Sequence, residues 1–139
     1  MPISHEDFVT FTRSRDPHTV FAPLGIRVVT FDKAETVVAL DIDEKHYQHA
    51  GIVHGGVYVL LMESAASIAA ALSVDIENTR VAGQEISASH VRPSSSGTLT
   101  ARAKPLHVGK SQIVYACDVD NDGKLVSTGR CTIAVRPNS

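Results

Sequence analysis

"HAGIVHGGVYVLLMESAASIAAALS", residues 49–73, decides the fold. A short loop enters a long apolar stretch through a His54-Gly55-Gly56 step, and one carboxylate, Glu63, stands inside that stretch. On a helical wheel at about 100° per residue, Val57, Leu60, Leu61, Ala65, Ile68 and Leu72 form one apolar stripe. Val59, Met62, Ala66 and Ala70 make the opposite face almost as apolar. A helix that is apolar all round is buried on most sides. The chain's own strands can cover one face; the other calls for a second surface, most simply a second copy of the chain. Glu63, Ser67 and Gly56 share the remaining narrow side, with Glu63 and Ser67 one turn apart.

On either side of this helix, expected over about Gly55 to Ser73, the period changes from helical to strand-like. GIRVVTFDKAETVVALDID reads as two strands about a polar DKAE turn, with β-branched residues on both sides. Residues 44 to 54 are a polar, His-rich loop. RVAGQEISASHVRP, GTLTARAKPLHV, SQIVYACDVD and KLVSTGRCTIAV come next as strands, punctuated by PSSSG, VGK and the hairpin signal NDG. SHEDFVTFTRSR opens with Ser4 as an N-cap and acids in the first turn, so it reads as a short helix, and Pro17 and Pro23 break the stretch after it. The order is β-β-α-β-β-β-β after an N-terminal helical segment, 1–21. One helix against many antiparallel strands is an α+β domain, here a single one over 1–139.

Composition narrows the function. A length of 139 residues buries a real core without staples, and a net charge of −2 gives no global field for nucleic acid or anionic membrane. The two cysteines, Cys117 and Cys131, lack metal-ligand spacing and read as free thiols of a reducing cytosol. The start MPISHEDFV has no basic region followed by an apolar run, so it does not read as a signal peptide. Val57 to Leu72 is shorter than the ~20 apolar residues of a membrane span and contains Glu63. A cytoplasmic protein is the expectation, with no nucleic-acid or membrane partner.

The start of the long helix suggests chemistry. The first N–H groups of a helix lack intrahelical partners, and the dipole is positive there. Gly55 and Gly56 have no side chains to block approach, so a carbonyl or oxyanion can sit on a backbone N–H. His54 is adjacent and Gln48 lies upstream on the same loop. Taken singly, His54 is a capping histidine, Gln48 a solvated amide and Glu63 a paired structural acid. Taken together they form an electrophile-binding mouth plus a carboxylate. That suits acyl transfer, with Glu63 as nucleophile or as base for water.

HGGVYVLLMESAASIAA resembles the signature of the PaaI-like acyl-CoA thioesterases of the hotdog fold, in which a curved antiparallel sheet wraps one long helix. Glu63, rather than Asp, resembles the branch that cleaves aroyl-CoA, including 4-hydroxybenzoyl-CoA, 1,4-dihydroxy-2-naphthoyl-CoA and enterobactin-proofreading thioesterases. VAGQEISASHVRP and KPLHVGKSQ are similar to the same branch, and the resemblance covers roughly 22 to 135. It implies that the Gly55 N–H holds the thioester oxygen, that His54 and Gln48 position and polarise the thioester, and that Glu63 acts across a dimer interface. Ser67 would orient water or His54, with Ser64 beside it. Ser64, Val59, Met62 and Gly83 would join the residues that bind the acyl and CoA parts of the substrate, and Val59, Met62 and Ala66, opposite the acyl pocket, are smaller than the bulky residues of some relatives. Two chains would pair along their helices and sheets, and two such dimers would form a tetramer. No cofactor is implied.

Alternation in ISASHVRP sets Ile86, Ala88, His90 and Arg92 on one face and Ser87, Ser89 and Val91 on the other. With Lys104, His107, Lys110 and Ser111 these are either solvated strand ends or donors to the CoA phosphates, and the resemblance favours His90, Arg92, His107 and Ser111. No Gly-rich phosphate loop and no G-x-S-x-G step occurs. His5, His18, His46 and His49 have no metal-ligand spacing, so no metal site is expected. Two other readings stay open: a hotdog hydratase or dehydratase, and an acyl-CoA-binding protein without activity.

Overall fold

A computed structural model describes residues 3–139 of the chain. The expected span 1–139 therefore begins with two residues that lie outside the described residues. Helix α1, His5–Arg15, starts on Ser4, whose hydroxyl accepts the Asp7 N–H at 3.1 Å. Such a cap contributes about 1 kcal/mol. Pro17 falls in a 3-10 turn at Asp16–His18. Pro23, expected to break structure, instead sits inside the one-turn helix α2, Phe21–Leu24. The first N–H groups of a helix are unpaired in any case, so a proline there loses no bond. Gly25 at φ 69° then ends that turn.

Six strands form one antiparallel sheet: β1 Arg27–Thr30, β2 Thr36–Asp41, β3 Thr79–His90, β4 Thr98–Val108, β5 Gln112–Asn121 and β6 Lys124–Pro137. Their order is β1-β2-β4-β5-β6-β3. Helix α3, Gly55–Ser73, carries the chain from β2 near one edge to β3 at the other. Alternation selects the core side of each strand: Leu99, Ala101 and Ala103 on β4, then Ile113, Tyr115, Cys117 and Val119 on β5. Five alanines of α3 (65, 66, 69, 70 and 71) are buried, and side chains that small let the sheet close tightly on the helix. α3 is long and apolar enough to cross a bilayer, contrary to the length expectation. In this fold it is the axis about which the sheet curves.

The wheel expectation needs a correction. A single sheet covers both apolar faces of α3: Leu61, Ala65 and Ile68 from one stripe and Met62, Ala66 and Ala70 from the other are all buried. A strongly curved sheet contacts far more than half of a helix's circumference. What stays half-buried is the strip of Val59, Leu60, Glu63, Ser64 and Ser67, together with Val57 and Leu72 towards the helix ends. The surface left for a second chain is therefore this strip, in which the apolar Val59 and Leu60 flank Glu63, Ser64 and Ser67. β3, one of the two edges, is twelve residues long and mostly exposed. An edge of that length leaves a row of unpaired N–H and C=O groups. A register shift between Gly83 and Glu85 leaves Gln84 as an extra residue midway along it.

Candidate active site

The loop before α3 is held at several points. His46 is fully buried; its Nδ1 accepts the Asp43 N–H at 2.9 Å and its Nε2 donates to the Leu24 carbonyl at 2.8 Å. The His46 carbonyl accepts the His54 N–H at 2.8 Å. Tyr47 and Val53 form a bridge, closed by Gly51 at φ 79°, and the Val53 N–H reaches the Ser94 carbonyl at 2.8 Å. This small hairpin presents Gln48, whose side-chain oxygen accepts the Ala50 N–H. Its amide NH2 is thereby left for a ligand.

At the helix start His54 is the N-cap. Its Nδ1 accepts the Gly56 N–H at 2.8 Å, so in the neutral ring the proton lies on Nε2. The His54 carbonyl takes the Val57 N–H at 2.9 Å. Among the described residues no acceptor takes the Gly55 N–H, which is the oxyanion donor expected from the sequence. Gly55 cannot carry a side chain here, because a β carbon would stand 2.6 Å from His90 Nε2. His90 is fixed by Ser127, whose Oγ lies 2.8 Å from His90 Nδ1, and its ring centroid is 5.1 Å from that of Tyr58.

Gln48, Gly55, Tyr58, His90 and Arg92 line one cavity of about 390 Å³. Tyr58 is a site residue that the sequence reading missed. It is 2 % exposed, and its hydroxyl has no hydrogen-bond partner among the described residues. A tyrosine three positions after Gly55 in an aliphatic helix was the available signal, since that spacing shares a face. Ser127 was missed too: only the register of β6 with β3 brings it to His90.

Glu63 is not in this cavity. With Ser64 and Ser67 it lines a second one, about 330 Å³, whose wall includes Phe21 and Leu60. The Glu63 carboxylate rests on the backbone of Gly83 in β3. Ser64 donates to the Leu60 carbonyl of its own helix at 2.7 Å, so its proton is already used. One chain thus separates the carboxylate from the mouth.

The other assigned residues divide as well. Met62, expected to border the acyl group, is fully buried in the core, where its carbonyl takes the Cys117 thiol at 3.9 Å. Val59 stays half-buried on the open strip. His107 and Ser111 flank the β4–β5 turn, at the end of the sheet opposite His90 and Arg92. Successive pairings show this, with His107 beside Val114 and His90 beside Ser127. These four residues do not converge within one chain.

The family model of the thioesterase superfamily matches residues 50–128. The chain belongs to the thioesterase superfamily. A 1,4-dihydroxy-2-naphthoyl-CoA hydrolase of Listeria monocytogenes is 43% identical over 114 residues, covering 81% of this chain and 92% of the relative. The Escherichia coli hydrolase of that name is 36% identical over 97 residues, covering 69% of this chain and 71% of the relative. A thioesterase from Pseudomonas aeruginosa, solved with a glutamine replaced by alanine, superposes with TM-score 0.89 at 31% identity over 99% of both chains. This thioesterase accordingly has the hotdog fold and is a thioester hydrolase. The hydratase and the inactive binding protein fall away as first readings.

Proposed function

We propose that this thioesterase hydrolyses aromatic acyl-CoA thioesters at sites completed by two chains, in the cytoplasm and without a metal or cofactor. The observation that carries the two-chain site is the separation of Glu63 from the cavity that holds Gln48 and Gly55. Glu63 rests on the exposed edge strand β3, at Gly83. Pairing of that edge with the same edge of a second chain places the Glu63 strip of one beside the mouth of the other. A two-fold axis makes both sites alike. Back-to-back association of two dimers would give the tetramer.

The thioester carbonyl sits on the Gly55 N–H at the positive end of α3, where negative charge developing on oxygen is stabilised. The Gln48 amide lines the same cavity as a donor, and His54, the preceding residue, keeps its Nε2–H as a second one. Glu63 of the second chain attacks the carbonyl carbon, or takes the proton of the water that does. The carbonyl then reforms and expels CoA as the thiolate; where Glu63 is the nucleophile, water next cleaves the acyl–Glu63 anhydride to the free acid and restores the carboxylate. Ser67, one turn from Glu63, orients the water. Glu63 in place of the alternative Asp, and the hydrolases among the relatives, support an aroyl group. Menaquinone formation, siderophore proofreading and aromatic breakdown would each supply one.

A panel of aroyl-CoA and fatty acyl-CoA thioesters, with released CoA read by a thiol reagent, tests this reading. The expected result is a kcat/KM for aroyl-CoA well above that for long-chain acyl-CoA. Preference for the fatty acyl series would overturn the substrate class.

A further inference from the structure

We infer that His90 binds the first amide of the pantetheine arm, the one nearest the thioester sulfur, and not a CoA phosphate, and that Ser127 is the positioning residue that makes it do so. The inference rests on the thioesterase reading and adds a contact to it. Ser127 is fully buried on β6. Its hydroxyl has one proton, which it donates to the Ser89 carbonyl at 3.3 Å. With that proton given to Ser89, the 2.8 Å bond between Ser127 Oγ and His90 Nδ1 takes its proton from His90, and this is the tautomer that the inference assigns. In the neutral ring this leaves Nε2 with a lone pair and no proton.

The position of that lone pair is fixed as tightly as its chemistry. His90 Nε2 lies 2.6 Å from where a β carbon of Gly55 would be, so it lies directly against the proposed oxyanion donor. Tyr58 backs the ring, with centroids 5.1 Å apart at 52°. A bare imidazole nitrogen is an acceptor, and phosphate oxygens are acceptors too. Such a nitrogen is poorly matched to the phosphate role that the sequence resemblance favoured. A thioester held on Gly55 N–H has its sulfur next to the carbonyl carbon, and the pantetheine amide N–H comes two methylenes further on. That N–H is the nearest donor on the CoA arm, and His90 Nε2 is an acceptor beside Gly55.

Three thioesters of one aroyl acid separate the possibilities: the CoA ester, the N-acetylcysteamine ester, which keeps the first amide, and the S-propyl ester, which lacks it. His90→Ala should lower the kcat/KM ratio of N-acetylcysteamine to S-propyl ester by about 3- to 10-fold, the usual weight of one neutral hydrogen bond. The CoA ester should fall by the same factor as the N-acetylcysteamine ester. Ser127→Ala should move the ratio in the same direction. Nitrogen NMR of the imidazole should show His90 with its proton on Nδ1 in the wild type and a shift towards the other tautomer in Ser127→Ala. That reading needs no turnover and detects a misfolded variant. A loss confined to the CoA ester would return His90 to the phosphates. An equal loss on all three esters, or a wild-type His90 protonated on Nε2, would also overturn the inference. Wild-type protein that cleaved none of the esters while its His90 tautomer stood as described would overturn the thioesterase reading instead.

Discussion

Glu63 lies where the side chain of residue 83 would otherwise be: a β carbon on Gly83 would stand 1.9 Å from Glu63 Oε1 and 2.7 Å from its carboxyl carbon. The carboxylate of α3 and the bare backbone of β3 thus occupy one space. Gly83→Ala should therefore displace the Glu63 carboxylate. The displaced atoms are the end of a flexible chain in a half-buried strip, so the melting temperature should change little. A misplacement of about 1 Å at a reacting group can cost ~10²-fold in rate. A large fall in kcat with an intact melting curve is expected, and a fall in stability with normal kcat would make Gly83 a folding residue only.

Glu63→Gln keeps the shape and removes the chemistry. Loss of a general base or nucleophile costs ~10²-fold or more in kcat. KM should hold, because the Gly55 mouth is untouched. Stability should hold or rise, since no hydrogen bond or ion pair to Glu63 is present among the described residues and its charge is half-buried. Glu63→Asp should keep partial activity. Steady-state kinetics and thermal melts on the same samples check all three statements.

Cross-chain assembly predicts complementation. Glu63→Gln and Gln48→Ala proteins should each be nearly inactive alone. Mixed chains form some dimers with one intact mouth facing one intact carboxylate, so activity should return on co-refolding. No recovery, or sedimentation as an active monomer, would place the whole site in one chain.

Arg92 lines the mouth cavity, and no carboxylate pairs with it among the described residues. His107 rests on Gly109 at the far turn. Each is expected to serve the nucleotide end of the substrate. Alanine at either should raise KM for the CoA thioester several-fold and alter the N-acetylcysteamine thioester far less. Equal effects on both would move the residue away from the phosphates.

Burial pushes the thiols of Cys117 and Cys131 up to about 12 from 9.0, and the Tyr115 hydroxyl up to about 12 from 10.0. Below about pH 8 these groups are neutral in folded and unfolded chains alike, so they add no pH dependence there. Between about 9 and 12 the unfolded chain releases protons that the folded chain keeps, and stability falls as pH rises. Melting temperatures should decline above pH 9, less steeply in a Cys117→Ala, Cys131→Ala double variant. A disulfide reagent at pH 8 should find both thiols silent until the protein is unfolded.

The residues nearest α3 in sequence were legible without coordinates. Gly55–Ser73 as the helix, His54 as its cap and the β-β-α-β-β-β-β order all come from local periodicity and from the orphan N–H groups of a helix start. Those are short-range effects, and the sequence states them directly. The tertiary structure alone decided which groups meet. Six curved strands reach both apolar faces of α3, which puts Met62 in the core and leaves the Glu63 strip half-buried. Ser127 reaches His90, and Gly83 makes room for Glu63, through strand register and a helix-to-strand crossing. Such contacts join residues twenty to forty positions apart, and no local pattern encodes that distance. It is set by how far the sheet curves and which edge it leaves free.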